Sequence, residues 1–301
     1  MLFEGLAEYV DRVHDLPYWE GGAAAFFRAL WSARLDRAYD AAFLAYPSAR
    51  LLYRGLLSAF KARQRFAHDH GDGSSRMDWI AGITPVPVRA VHNVERNRDL
   101  LRAANIAPDD TDGYLVPPAW IEDRRDASSE TIAIHIGSVT HDGLAAKRWP
   151  LEYFIRVCRD LVAEGRDVAL IAGPEEALES DALQRAVPGV HRFEGDLPSV
   201  ARFLSACAVL VANDNGIAHL AAGVGTRVIA VFGPTPVEGA PFSHLATVLR
   251  PSSCPPCFDV RKPVVTCVRN IDFACLKRDL TPELVVQSVR DAIRRAQIAA
   301  G

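Results

Sequence analysis

The chain has 301 residues, 49% of them apolar and 24% charged, with a net charge of −3. That length exceeds what one hydrophobic core usually serves, so two domains are expected. The balance excludes a disordered chain, and the charge argues against general nucleic-acid binding while leaving specific phosphate sites open. No apolar run approaches the ~20 residues that cross a bilayer. The opening "MLFEGLAEYVDRVHDLP" carries acids where a signal peptide has a basic start and an apolar centre, so the cytoplasm is the expected location.

Along the first half, "YDAAFLAYPSARLL" and "RQRFAHD" read as a strand–helix–strand passage and "NVERNRDLLRAANI" as a helix. The stretch from Arg50 to Phe66 carries Arg50, Arg54, Lys61, Arg63 and Arg65 without an acid, among leucines and aromatics. It reads as an amphipathic helix, either covering its own sheet or leaning on an anionic membrane surface. His92 reads either as a cleft residue or as a structural histidine. The polar segment "DDTDGYLVPPAWIEDRRDASSE", with its double proline, is expected to be a linker, giving domains 1–125 and 126–301.

From Thr131 onward, short apolar runs alternate with helical patterns, as in parallel βαβ units. The strands are "TIAIHIG", "DVALIAG", a short one near His191, "AVLVAN" and "RVIAVFG". The helices are "PLEYFIRVCRDLVAEG", one from about Glu175, "SVARFLSAC" and one after Gly216. This half is α/β, a doubly wound Rossmann-like domain. Such sheets bind ligands beyond the carboxyl ends of their strands, where helix N-termini offer unpaired N–H groups and partial positive charge.

Three polar loops leave those strand ends. The turn "NDNG" offers Asp214 as a helix cap, with Asn215 and Gly216 bringing backbone amides close to a ligand and His219 one turn further on. The loop "SVTHDGLAAKRWP" supplies the hydroxyls of Ser138 and Thr140 and the cations of Lys147 and Arg148, with Trp149 packing the loop onto the domain. After "DVALIAG" comes Glu175, placed as an acceptor for a ribose hydroxyl, or as an acid favoured in the first turn of a helix. Together these describe a nucleotide-diphosphate site; each loop alone also fits an ordinary capped turn.

The segments "HIGS…AAKRWP", "AGPEE", "VANDNGIAHLAAGVGTRVIAVFGPT" and "CPPC…C…CL…LTPELV" together resemble glycosyltransferase family 9, the ADP-heptose:lipopolysaccharide heptosyltransferases. The resemblance runs in order over residues 131–295 and weakly from "YVDRVHDLP" to "NVERNRDLL". It implies the GT-B architecture of two Rossmann-like domains, the N-terminal one incomplete here, and inversion at the anomeric carbon. By the resemblance Lys147 would contact the donor phosphates, Glu175 the ribose, and Asp214, Asn215, Gly216 and His219 the diphosphate and sugar, with Gly195–Leu197 along the base. The donor would be a sugar nucleotide and the acceptor a glycan or lipid-linked glycan, with no cofactor and no nucleic acid. The location would be the cytoplasm or the inner face of the inner membrane. The family's opening strand and Gly-Asp turn, whose aspartate is its general base, find no counterpart in this sequence, so the catalytic base is unknown. Either the sequence as given starts late and the unit with its base lies upstream, or the base is lost and the chain would bind a sugar nucleotide without turnover; a different GT-B donor is a further alternative.

Cys254, Cys257, Cys267 and Cys275 form a C-x2-C…C…C set that reads as reduced loop thiols, as ligands of zinc or iron–sulfur, or as a disulfide or redox pair. Cys158 and Cys207 read as core residues. The last helix has Thr281 as its cap and Pro282 in its first turn, and is expected to return to the N-terminal domain.

Overall fold

The computed structural model describes residues 9–14, 28, 30–32, 38–48, 51–76, 78–121, 130–138, 147–258 and 267–300. Thr140 and Arg50 lie outside them. The chain divides into two compact units, one on Ala7–Thr111 and the other on Asp112–Gly301.

In the first unit, β1 (Tyr39–Leu44), α1 (Leu51–Ala59), β2 (Ala62–Asp69), β3 (Thr84–Pro87) and α2 (Asn93–Ala103) follow in order. The strands pair in parallel as β1-β2-β3. The strand–helix–strand reading and the helix in "NVERNRDLL" are therefore found. A single basic helix over 50–66 is not. The β-rich half of that stretch, "ARQRFAHD", enters the sheet as β2, and Arg54 turns inward, buried against Asp78 and the His68 carbonyl. His92 takes its structural role: its Nδ1 accepts from Val94 N at 3.1 Å and caps α2.

His68 is 1% exposed in β2. Burial, and then the neighbouring charge of His70, hold its imidazole below the ordinary histidine value of 6.5. The unfolded chain thus takes up this proton at a higher pH than the folded one. Its contribution to stability is complete above the unfolded value and is lost as pH falls below it. Chemical denaturation between pH 7.5 and 5 should show declining stability, with a shallower decline for His68→Gln; parallel slopes would assign the effect to other groups.

The second unit is a six-stranded parallel sheet of order β6-β5-β4-β7-β8-β9, with strands β4 (Ile132–His135), β5 (Val168–Ile171), β6 (His191–Phe193), β7 (Val209–Asn213), β8 (Arg227–Val231) and β9 (Ala246–Leu249). The helices are α3 (Leu151–Ala163), α4 (Ala177–Ala186), α5 (Leu197–Ser205), α6 (Gly216–Gly223), α7 (Ala274–Arg278) and α8 (Pro282–Ala300). Side chains alternate across each strand. Ile132 and Ile134 meet Phe154, Val157 and Leu161 of α3 and Val285 and Val289 of α8 on one face. Ala133, Leu210 and Ala212 meet α5 and α6 on the other. Cys158 and Cys207 are buried in these two layers, and desolvation pushes both thiols up to about 12, as inert core residues require.

The expected boundary is corrected here. Residues 112–121, part of the expected linker and placed in the first domain by the boundary at 125, belong to this unit, because Tyr114, Val116, Trp120 and Ile121 pack into the layer of α5 and α6. The last helix keeps its apolar stripe in the core of its own unit, with Val285, Val286, Val289, Ala292 and Ile293 facing α3 and the sheet. Thr281 caps it as expected, its Oγ1 accepting from Leu284 N at 3.3 Å. No helix among the described residues is long and apolar enough to cross a membrane.

Candidate functional site

The strand order reverses direction between β4 and β7: from β4 the chain winds outward through β5 and β6, then returns to β4's other side. A crevice forms at such a switch point because the connections leave to opposite faces. The two loops leaving β4 and β7 are those carrying Ser138, Lys147 and "NDNG".

Asn213 ties them together. It is wholly buried at the end of β7, its Oδ1 accepting from Trp149 N at 2.9 Å and its Nδ2 donating to Ile136 O at 2.7 Å. One amide thus satisfies a donor and an acceptor that would otherwise be buried unpaired. Trp149, 2% exposed, anchors the far side of the loop, with Nε1 donating to Leu280 O at 2.8 Å and to Leu276 O at 3.2 Å. Lys147, two residues before this anchor, lies with Nζ 2.7 Å from Asp214 Oδ2, an ion pair rather than a well-directed hydrogen bond. The same Nζ stands 4.4 Å from the centre of the Phe258 ring.

The cap of α6 is Asn215, not Asp214. Asn215 has the extended backbone of a cap residue, and its Oδ1 accepts from Ala218 N at 3.0 Å. Its Nδ2 donates to Gly137 O at 2.7 Å, binding the helix start to the end of β4. Asp214 is thereby released to face Lys147. Ser138 is buried and its Oγ donates to Asp214 O at 3.1 Å, which holds the turn. Gly216 opens α6 at an exposed position, and a Cβ placed there would meet nothing within 4 Å. The fold itself does not demand glycine at this position.

Of the two acids after β5, Glu175 is exposed and Glu176 turns inward, 6% exposed. The Glu176 carboxylate fills the space above Gly137 and Gly173, where a Cβ would lie 1.9 Å and 2.7 Å from its oxygens. Arg148 stands 3.6 Å from it and donates twice to Ser138 O, at 3.0 and 2.7 Å, and once to Glu179 at 3.1 Å. Buried His135, Nδ1 3.1 Å from Ile171 O, is held below the usual histidine range by desolvation. Sequence spacing did not single out Glu176 or His135; the paired strand-end glycines were the available signal.

His219 lies further along α6, with Nδ1 2.8 Å from the hydroxyl of Tyr114. The structure thus gathers Ser138, Lys147, Asp214, Asn215 and Gly216 at the carboxyl ends of β4 and β7, with Glu175 at the end of the strand beside them and His219 on the same helix. The chemistry on offer is a cation, a carboxylate and the first amides of a helix, a set suited to an anionic ligand carrying hydroxyls.

The four clustered cysteines are free thiols. Desolvation, followed by the neighbouring thiols, raises Cys257 and Cys275, though in Cys275 only Cys254 stands ahead of the lesser causes. The amides of Ile271 and Phe273 lower Cys267. Among the described residues, no group of three or more His, Cys, Asp or Glu is gathered as a metal set would be.

Comparison with known proteins gives one consistent result. The profile of glycosyltransferase family 9 (heptosyltransferase) matches residues 27–266. Lipooligosaccharide heptosyltransferase 2 of Haemophilus influenzae is 30% identical over 113 residues, 35% of this chain and 33% of that protein. Lipopolysaccharide heptosyltransferase 3 of Escherichia coli is 26% identical over 62% of this chain and 55% of its own length. The match thus spans about a third to about half of these curated relatives. Among solved structures, E. coli heptosyltransferase WaaC with ADP superposes with a TM-score of 0.67 at 19% identity, covering 92% of this chain and 80% of that one. A family 9 glycosyltransferase from Veillonella parvula gives 0.71 at 16% identity, over 97% and 86%. The fold is that of the GT-B heptosyltransferases.

Proposed function

Because the chain belongs to glycosyltransferase family 9, we propose that it transfers a heptose or related sugar from a nucleotide diphosphate to a lipopolysaccharide core or other glycan, with inversion. The observation that carries this reading is the placement of Lys147 Nζ against Asp214, two residues from the amide-bearing tip of α6.

In glycosyl transfer the anomeric carbon becomes cation-like while negative charge gathers on the departing diphosphate. Groups fixed on that diphosphate are worth most as the bond breaks. In this reading Lys147 leaves Asp214 for the phosphates, and the amides at Gly216 and the residue after it donate to the same oxygens. Asp214, freed of its partner, accepts from sugar hydroxyls. Glu175 receives the ribose, and the acceptor hydroxyl attacks from the opposite face. No base is assigned, and no metal or cofactor enters, since the lysine and the helix tip supply the positive charge.

ADP-heptose is the first donor to test, a choice supported by the likeness to WaaC, solved with ADP. It should raise the melting temperature in proportion to the logarithm of its concentration, whereas UDP-glucose should not. Transfer of labelled heptose to a core acceptor then separates an enzyme from a binder. If no sugar nucleotide shifts the melt, the proposal fails.

Gly216→Ala makes a sharper local test. A Cβ at this position touches no protein atom, so stability should change by less than about 0.5 kcal/mol. Donor affinity should fall about tenfold as the methyl stands between the amides and the phosphate. Equal affinity would place the diphosphate elsewhere.

A further inference from the structure

The hydrogen bonds around Tyr114 settle more than its packing. Tyr114 enters the second unit just after its start and lies close over α6, where a Cβ on Gly223 would come within 3.4 Å of the tyrosine Cβ. Its ring meets that of His219 edge-on, with centroids 5.5 Å apart and planes at 68°. Three polar groups surround its hydroxyl: Phe242 N at 3.0 Å, Ala240 O at 3.4 Å and His219 Nδ1 at 2.8 Å.

A phenol has one proton to give and lone pairs to accept with. The Phe242 N–H donates to the oxygen, which fixes that lone pair. The proton then has two candidate acceptors. The Ala240 carbonyl lies at the far limit of a hydrogen bond, whereas the imidazole nitrogen lies at an ordinary distance for O–H to nitrogen. Burial raises the phenol's pKa, so the proton is present throughout the neutral range. If Nδ1 accepts, it carries no proton of its own, and a neutral imidazole must carry its one proton on Nε2.

We propose that Tyr114 is a positioning residue that fixes His219 as the Nε2–H tautomer, so that the imidazole acts as a hydrogen-bond donor to a phosphate or sugar oxygen of the sugar nucleotide. The ligand half of this statement rests on the transferase reading above; the tautomer does not. The backbone amide of Phe242 is the element that sets the direction, because it occupies the phenol as an acceptor and turns its proton toward the histidine. The opposite tautomer would set Nδ1–H against the same oxygen and send the phenol's proton to the distant Ala240 carbonyl.

Long-range proton–nitrogen spectra of the full chain labelled with 15N-histidine test this directly. They are recorded without ligand at pH 8, where an ordinary imidazole is neutral, and His219 is assigned by its loss in His219→Gln. The expected result is an unprotonated Nδ1 and a protonated Nε2 in the native chain, with that preference lost in Tyr114→Phe. The KM for ADP-heptose should rise about fivefold to tenfold in Tyr114→Phe, the worth of one well-aligned hydrogen bond, with kcat changed less. A native spectrum with the proton on Nδ1, or a Tyr114→Phe spectrum unchanged from it, overturns the proposal. The native spectrum needs no variant, so misfolding of Tyr114→Phe cannot hide the answer. The expected tautomer together with a donor KM unmoved in Tyr114→Phe would overturn the donor role. Failure of every sugar nucleotide to bind would sink the transferase reading while leaving the tautomer assignment standing.

Discussion

Lys147→Ala is expected to lower kcat/KM for the sugar nucleotide by about a hundredfold, the usual effect of removing one group that stabilises a developing anion. The loss should fall on kcat at least as much as on KM, because the lysine gains its full value as charge moves onto the leaving diphosphate. The substitution also leaves Asp214 with a side chain 9% exposed and no cation beside it, so some loss of stability should accompany it. Adding Asp214→Asn separates the two effects. The double variant should recover stability and be at least as inactive as Lys147→Ala, since Asp214 itself is read as an acceptor for the sugar. Steady-state kinetics at saturating acceptor reads the outcome, and an unchanged kcat and KM would remove Lys147 from the site.

The second large effect is structural. Trp149→Ala should destabilise the protein by about 3 to 5 kcal/mol, the range for deleting a large buried aromatic whose neighbours cannot collapse into the space. Trp149 contacts Tyr153 and Phe154 edge-on, at 5.4 and 5.0 Å between centroids. Its loss also leaves the Leu276 and Leu280 carbonyls without their indole donor. For a unit of this size the melting temperature should fall by roughly 10 °C. Donor binding should weaken as well, since the lysine loop loses its anchor. A shift below about 2 °C would show that the loop is held by something other than this ring.

Much of the second unit was legible because its central strands β4, β5 and β7 are buried throughout and its helices are not. Runs such as "VLVAN" alternate with the helical spacing of Phe154, Val157, Cys158 and Leu161, and both periods survive in the structure. The missed strands explain themselves. Ala246–Leu249 is a four-residue strand, mostly half-buried, following a loop rich in proline. Thr84–Pro87 contains two prolines, which a sheet tolerates at an edge, where β3 stands in the described order. The site was legible as a neighbourhood rather than as an arrangement. Adjacent Glu175 and Glu176 look alike in sequence, and which one turns inward depends on the missing side chains of Gly137 and Gly173. Asp214 and Asn215 are both good caps, and the choice between them follows from the lysine that competes for the carboxylate. The segment around Tyr114 was hidden by its composition: prolines and acids surround four residues, Tyr114, Val116, Trp120 and Ile121, that pack into the core.

That segment has a practical consequence for anyone dissecting the molecule. A fragment begun at residue 126, where polarity suggests a clean cut, would discard Trp120, which is 8% exposed, together with Tyr114 and Val116. The trimmed piece would show solvent a raw apolar trough along α5 and α6 and would invite aggregation. Expression of the second unit for screening or crystallisation should therefore begin no later than Asp112, whose carboxylate accepts from His244 N at 3.0 Å and secures the new terminus.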